Sequence, residues 1–534
     1  MARNRIPRTE PAHSLMYEPG VLSPAPDAAD SAALLDSVTR CLENPLNDRQ
    51  EEFFHIAFRS RVSLLWGPPG TGKTRVCAAV ILGWLERAWE WSGHVTVGIG
   101  ASNYNAIDNV LVEVLELLDR RRSVAVPPPT RVVRVRSSSA VPARDPRVEN
   151  VVRDSVEGRR LASELNNPGS CVVVGGTWQQ LGRMAQGVSA TDSPVAQWFD
   201  LLVIDEASQV PVASAAAYFL LLKEDGHVVL AGDHRQLGPI YGFKMRDTAQ
   251  GLFDCVFTYM QETHAVRPIA LQRNYRTNVE ISGWPRERFY SGGYDAFFPT
   301  RRLQIEVPQP AGTPPPTWPD QLAWTDAYLD ILRPSRPVVV ISYPPDTFTL
   351  SNPFEAQIVA SLAVLYRNLL LQADRTLAGD EFWNERMGIV TPHRAQMSTL
   401  RNLLLQAAGM PMEPPPFVDT VDRFQGQERD LMIASYVVAD NDFVASEEEF
   451  ILDPRRFNVT LTRARSKFIM LVSDAVLQHL PGDAQVARQA SHLQLFAENY
   501  CSDFMQVDLP FVDNRTVAYK RCRLRARSDP VPTE

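Results

Sequence analysis

From Leu46 onward the chain alternates short, nearly unbroken apolar runs with longer stretches whose apolar residues recur every three to four positions. The runs are 61–66 (RVSLLW), 94–100 (HVTVGIG), 171–175 (CVVVG), 201–204 (LLVI) and 227–231 (HVVLA), and in a second set 337–342, 387–391, 430–437 and 467–473. Runs this short, apolar on both sides of the alternation, predict strands buried on both faces. The stretches 74–90 and 104–118 carry the helical period. Strands of this kind alternating with helices predict an α/β fold with parallel sheets. Two sets predict two tandem domains, 46–267 and 268–498.

Four segments break the pattern. Residues 119–168 hold Pro127–Pro129, a basic strand-like stretch with Arg131, Arg134 and Arg136, and a helical stretch near 147–165; they read as a short helical insertion in the first domain. Residues 308–319 read as a Pro-rich loop. Residues 1–45, rich in Pro, Ala, Ser and Asp, read as a disordered or docking tail, and 499–534 as a basic tail carrying Lys520, Arg521, Arg523, Arg525 and Arg527. A protein partner docked through these termini is one expectation; for the basic tail, non-specific affinity for nucleic acid and a solvated charge run stand side by side.

Composition adds little. Hydrophobic residues are 45% and charged residues 22%, ordinary for a globular chain, and a net charge of −8 does not advertise a nucleic-acid partner. No uninterrupted apolar run reaches the roughly 18 residues of a membrane span, and Met1 to Gly20 lacks the apolar core of a leader. The expectation is a cytoplasmic chain (nuclear in a eukaryote) with no membrane partner. The six cysteines form no CxxC pair and no zinc-like spacing.

The chemistry sits at the ends of the apolar runs. Gly67, Pro68, Pro69, Gly70, Thr71, Gly72, Lys73 and Thr74 (GPPGTGKT) follow a strand and open a helix. Glycines let backbone N–H groups approach phosphate, and the helix N-terminus favours negative charge. Lys73 is placed to reach the β- and γ-phosphates of ATP and Thr74 to hold Mg²⁺. Asp205 and Glu206 end the run LLVI; an acidic pair there suits a metal ligand, Asp205, beside a group that positions or activates water, Glu206. Gln236, in GDHRQLGP (232–239) after the next run, is placed to sense the γ-phosphate.

The order LNDRQ (46–50), GPPGTGKT, ASNYNAIDN (101–109), DEASQ (205–209), GDHRQLGP, NYRTN (274–278), TPHRAQ (391–396), TVDRFQGQERD (420–430) and NVTLTRAR (458–465) resembles superfamily 1B helicases of the Upf-like type. The resemblance covers about 46–475 and implies two tandem RecA-like P-loop domains. It implies that Gln50 reads the adenine edge, Tyr275 stacks on the base, and Gly426 and Glu428 serve the nucleotide, Glu428 at the ribose. Arg276 and Arg463 resemble the two arginines that reach the γ-phosphate from the second domain, so that hydrolysis in the cleft between domains is coupled to movement. Arg465 is as readily structural. For single-stranded DNA or RNA, the implied groove residues are Ser102, Asn103 and Thr177 in the first domain and Thr391, Pro392, His393 and Thr420 in the second. Small hydroxyl and amide groups suit phosphate and sugar contacts. His393 stands where a tyrosine is more usual.

The implied activity is ATP- and Mg²⁺-dependent helicase or translocase action, 5′ to 3′ on single strands. The alternative is an ATP-gated nucleic-acid-binding remodelling subunit that does not unwind. Upf-like helicases carry a β-barrel before the glutamine motif, where this sequence has only 45 residues; the expectation is that the barrel is absent and that unwinding by the chain alone is poor.

Overall fold

Every apolar run named above becomes a strand. The computed structural model describes all residues except 1–10, 20–30, 92, 167–168, 187–194, 240–253, 292, 408–409, 412–414, 425, 514 and 528–534. The chain divides into two units, Met1–Gln272 and Arg273–Glu534.

The first unit is built on strands β1 (Val62–Trp66), β2 (Thr96–Gly100), β3 (Thr130–Arg136), β4 (Glu149–Val152), β5 (Cys171–Gly175), β6 (Phe199–Ile204), β7 (Leu222–Gly232) and β8 (Pro268–Ala270). They form one sheet in the order β4-β3-β5-β2-β6-β7-β1-β8, and all its pairings are parallel. The helices Lys73–Trp91 and Tyr104–Val124 lie against it through residues such as Val80, Ile81, Val110 and Leu111, all fully buried. Because β8 pairs with β1, the boundary falls after Gln272 and not after 267.

Two expectations for this unit are corrected. Residues 119–168 are not a separate helical insertion: β3 and β4 complete the edge of the main sheet, because Val132, Val133 and Val135 offer buried side chains beneath the arginines. Parts of 1–45 are also folded. The helix Pro11–Tyr17 buries Ala12, Leu15 and Met16, and the helix Ser31–Thr39 buries Leu34, Leu35 and Val38. Their helical spacing is hidden in the sequence by the Pro- and Asp-rich residues around them.

The second unit carries a small pair, β9 (Arg273–Asn274) and β10 (Asp295–Ala296). Its main strands are β11 (Val338–Tyr343), β12 (Met387–Val390), β13 (Val418–Asp419), β14 (Arg429–Ser435), β15 (Ala464–Ser473), β16 (Asp503–Asp513) and β17 (Thr516–Arg527). The sheet order is β13-β12-β14-β15-β11-β17-β16. The first five strands are parallel, and β17 closes antiparallel on β11. The helix Pro353–Ala373 is long and apolar enough to span a membrane, yet 78% of its most apolar window is buried inside this core.

Within the basic tail expected at 499–534, Asp503–Asp513 and Thr516–Arg527 form a β-hairpin, and 528–534 lie outside the described residues. Cys522, Leu524 and Ala526 are buried, alternating with Arg521, Arg523, Arg525 and Arg527: the period of a strand, obscured by charge. Most of its cations are occupied. Lys520 pairs with Asp346 and Arg523 with Asp474, while Arg525 and Arg527 lie over Phe504 and Tyr500.

Candidate functional site

In a parallel sheet the loops after the strands gather along one edge, where ligands of α/β folds bind. In the first unit that edge holds the P-loop after β1, Ser102 after β2, Thr177 after β5, Asp205 after β6 and Gln236 after β7. Gly70 and Gly72 have φ of 71° and 83°, a left-handed backbone that a side chain would strain. At Gly67 a Cβ would stand 2.1 Å from the Lys73 Cγ, so glycine is what lets the lysine fold across the loop. Lys73 donates to the Gly67 carbonyl at 2.5 Å, and Thr71 Oγ1 donates to the Pro68 carbonyl at 2.7 Å. The Gly67 N–H donates to the Gly232 carbonyl at 3.1 Å, tying the P-loop to the GDHRQLGP turn.

Gln50 is buried beneath the loop. Its Oε1 accepts from the Asn47 N–H at 3.0 Å, closing a capping box on the helix Asp48–Arg59, and its Nε2 donates to the Thr71 carbonyl at 3.1 Å. The structure thus gives Gln50 a buttressing contact with the P-loop.

Asp205 is 3% exposed. Burial, reinforced by the charge of Glu206 and opposed by Lys73, pushes its carboxyl up to about 7. A buried carboxylate so disfavoured fits a site completed by a cation. Glu206 follows with a φ of 49°, a left-handed conformation uncommon for a side chain of this size. Gln236 is buried and donates to Asp233 at 2.8 Å; Asp233 also accepts from the Trp66 indole at 3.0 Å. Asp233 is a residue the sequence reading missed, since its role comes from a contact with β1, distant in the chain.

Ser102 and Asn103 are exposed at the end of β2, and Thr177 is half-buried at the end of the neighbouring β5. Ser102 Oγ donates to Gln209 at 2.9 Å, linking this edge to the DEASQ motif. Asn103 caps the helix Tyr104–Val124. The arginines of β3 are committed elsewhere. Arg131 pairs with Glu149 and Glu164, Arg134 is buried against Asp108 at 3.0 Å and over Tyr104, and Arg136 donates to the Ala140 carbonyl.

In the second unit Arg276, Glu428, Arg463 and Arg465 come together. Arg276 pairs with Glu428 and donates to the Thr462 carbonyl at 3.2 Å. Burial works against the Glu428 charge, but Arg276, Arg465 and Arg463 outweigh it and hold the carboxyl below its ordinary range. Arg463, 3% exposed, donates to the Val459 carbonyl at 3.2 Å. Arg465 binds Asp430 at 2.9 Å and Glu385 at 2.8 Å, so it braces the cluster. Gly426 turns the chain there with a φ of 84°. Tyr275 lies half-buried with its ring 5.0 Å from that of Phe297, a residue outside every motif read above.

Thr391, Pro392 and Thr420 stand at the ends of adjacent strands, and the Thr391 N–H donates to the Asp419 carbonyl at 3.2 Å. His393 is turned inward, 8% exposed, among Phe443, Phe450 and Glu447, so its ring is not presented for stacking on a strand.

Two family models, each described as an AAA domain, match residues 45–191 and 252–475. The chain is 24% identical over 455 residues to the DNA replication ATP-dependent helicase/nuclease JHS1 of Arabidopsis thaliana, covering 82% of this chain and 29% of that one. It is 24% identical over 516 residues to the DNA polymerase alpha-associated DNA helicase A of Saccharomyces cerevisiae, covering 88% and 70%. It is 27% identical over 466 residues to the DNA-binding protein SMUBP-2 of Rattus norvegicus, covering 80% and 43%. The chain belongs to the Upf-like superfamily 1 helicases. It spans well under two thirds of the length of two of these three relatives. Within this Upf-like chain one matched region carries Gln50 and the P-loop and the other the arginine–glutamate cluster, while Asp205, Glu206 and Gln236 lie between the two.

Proposed function

We propose that this chain is an ATP-dependent helicase or translocase that moves 5′ to 3′ along single-stranded DNA or RNA. The observation that carries the reading is the P-loop edge: a lysine folded over a glycine-lined loop, with the buried Asp205 at the end of β6 in the same row of loops. Lys73 and the loop N–H groups would hold the phosphates of ATP. Thr74 and Asp205 would hold Mg²⁺, which neutralises phosphate charge when bound. Glu206 orients or deprotonates the attacking water. Arg276 and Arg463 supply positive charge where it develops in phosphoryl transfer, the role for which an arginine contributes most. Glu428, which now pairs with Arg276, is released to the ribose when that arginine turns to phosphate. Tyr275 stacks on the base, and Gln50 reads its edge by exchanging one of its two present hydrogen bonds.

For the strand, Ser102, Asn103 and Thr177 form one set of contacts and Thr391, Pro392 and Thr420 another, each at the ends of adjacent strands. The test is ATP turnover measured with and without matched single-stranded DNA and RNA, followed by strand displacement from duplexes tailed at the 5′ or the 3′ end. Turnover indifferent to either strand overturns the reading; displacement only from 3′ tails overturns the polarity.

A further inference from the structure

The second unit holds a partly open cleft that the nucleotide reading does not use. It is walled by the ends of β12 and β14, the turn Thr420–Asp422, the pair Phe450–Ile451, and Arg456 with Thr460. We propose that this cleft receives one nucleobase, turned out of the stack of a bound single strand. The proposal rests on the strand reading above.

Three observations point to a base. The first is location: Thr391, Pro392 and Thr420, the strand candidates of this unit, are themselves cleft walls. A backbone that touches these residues brings a base to the opening. The second is chemistry. Val390, Val421, Ala434 and Ile451 make the walls apolar, and the charges present are already paired. Arg456 donates to Asp422 at 2.9 Å and lies over the Phe450 ring at 4.3 Å from its centre. With its guanidinium so engaged, the cleft offers no spare cation to select a phosphate, but it does offer flat apolar surface, which suits a base. The third is unmet hydrogen bonding. Thr391 is 1% exposed, yet its Oγ1 has no hydrogen-bond partner among the described residues. Tyr436, half-buried, lines the same cleft and adds a second hydroxyl-bearing side chain to its wall. Buried polar groups are normally paired, and a base edge supplies both donors and acceptors.

The test uses the full chain and the shortest labelled oligonucleotide that binds at full affinity, which fixes the register. One nucleotide at a time is replaced by an abasic residue, and affinity is read by fluorescence anisotropy. One internal position is expected to weaken binding about tenfold, the scale of one stacked base, with the others changing less than about twofold. Ala434→Leu fills the cleft; it should weaken the intact strand by a similar factor and flatten the scan. Tyr436→Phe removes only a hydroxyl, so it carries the test if the larger change disturbs folding; it should alter base preference at the sensitive position alone. A flat scan in the natural protein, with normal strand affinity, overturns the cleft and leaves the strand reading intact. A sensitive position unmoved by both variants also overturns it. Failure to bind any strand sinks the strand reading and the cleft together.

Discussion

At the scale of single residues, the P-loop makes the sharpest demands. Gly67→Ala sets a methyl group against the Lys73 side chain, whose Cγ lies 2.1 Å from the added carbon. The lysine must leave its place, so ATP affinity should fall by at least about tenfold while the melting temperature changes little. Titration with a fluorescent ATP analogue beside a thermal melt checks both. Lys73→Ala should abolish turnover without unfolding, since the side chain is only part-buried. Arg276→Ala should lower kcat by about a hundredfold or more and leave ATP binding nearly unchanged, because its charge acts at the transition state. Equal losses in kcat and binding would instead make Arg276 a ground-state ligand. The sequence marked these positions because their motifs are local. Asp233 and Phe297 escaped it, because each is defined by a partner outside its own motif; for Arg465 the structural alternative is the one its ion pairs support.

At the scale of elements, the helix Pro353–Ala373 brings Glu355 into the core of the second unit. Tyr343 and Ser435 each donate a hydroxyl to its carboxylate at 2.5 Å, and the Val437 N–H donates at 3.0 Å. Burial nevertheless dominates these bonds and pushes the carboxyl up to about 7. The folded state then holds a proton that the unfolded state has released above its ordinary carboxylate range. Stability from this group is therefore full below about pH 4.5 and is lost as pH rises to about 7, by an amount on the order of 3 kcal/mol. Glu355→Gln should flatten that slope, as read from urea unfolding of both proteins between pH 5 and 8. Parallel slopes in the two proteins would remove Glu355 as the cause. The hairpin of β16 and β17 makes a second demand: β17 covers the edge of β11 with a ladder from Val338 to Ser342. Leu524→Asp places a charge in the buried face of that ladder and should destabilise the second unit by about 2 kcal/mol or more, visible as protease sensitivity of residues after Gln272.

At the scale of the whole molecule, a net charge of −8 shapes how a strand is held. The clustered cations of β3 and β17 are largely spent on carboxylates, carbonyls and aromatic rings. Strand affinity should therefore fall only gently with salt, by roughly 0.7 in log K per log salt for each phosphate neutralised. Arg131→Gln and Arg525→Gln should leave that slope unchanged, in contrast to the effect of removing true phosphate ligands. A slope that drops by about one phosphate in either variant would return that arginine to the strand path.

The sequence by itself determined the two sets of parallel strands, the P-loop and the family. Each depends on information close in the chain: strand period, a glycine-lined loop, and residues that follow a strand end. It did not show that 130–152 completes the first sheet or that 503–527 completes the second, because charge on the outward face masks the inward alternation. Only the tertiary structure decided which cations are free, that Gln50 props the P-loop, and that Thr391 faces a cleft while His393 turns inward. Those outcomes are set by which strands become neighbours. A side chain's burial and partners depend on residues tens to more than a hundred positions away, and no local pattern encodes them.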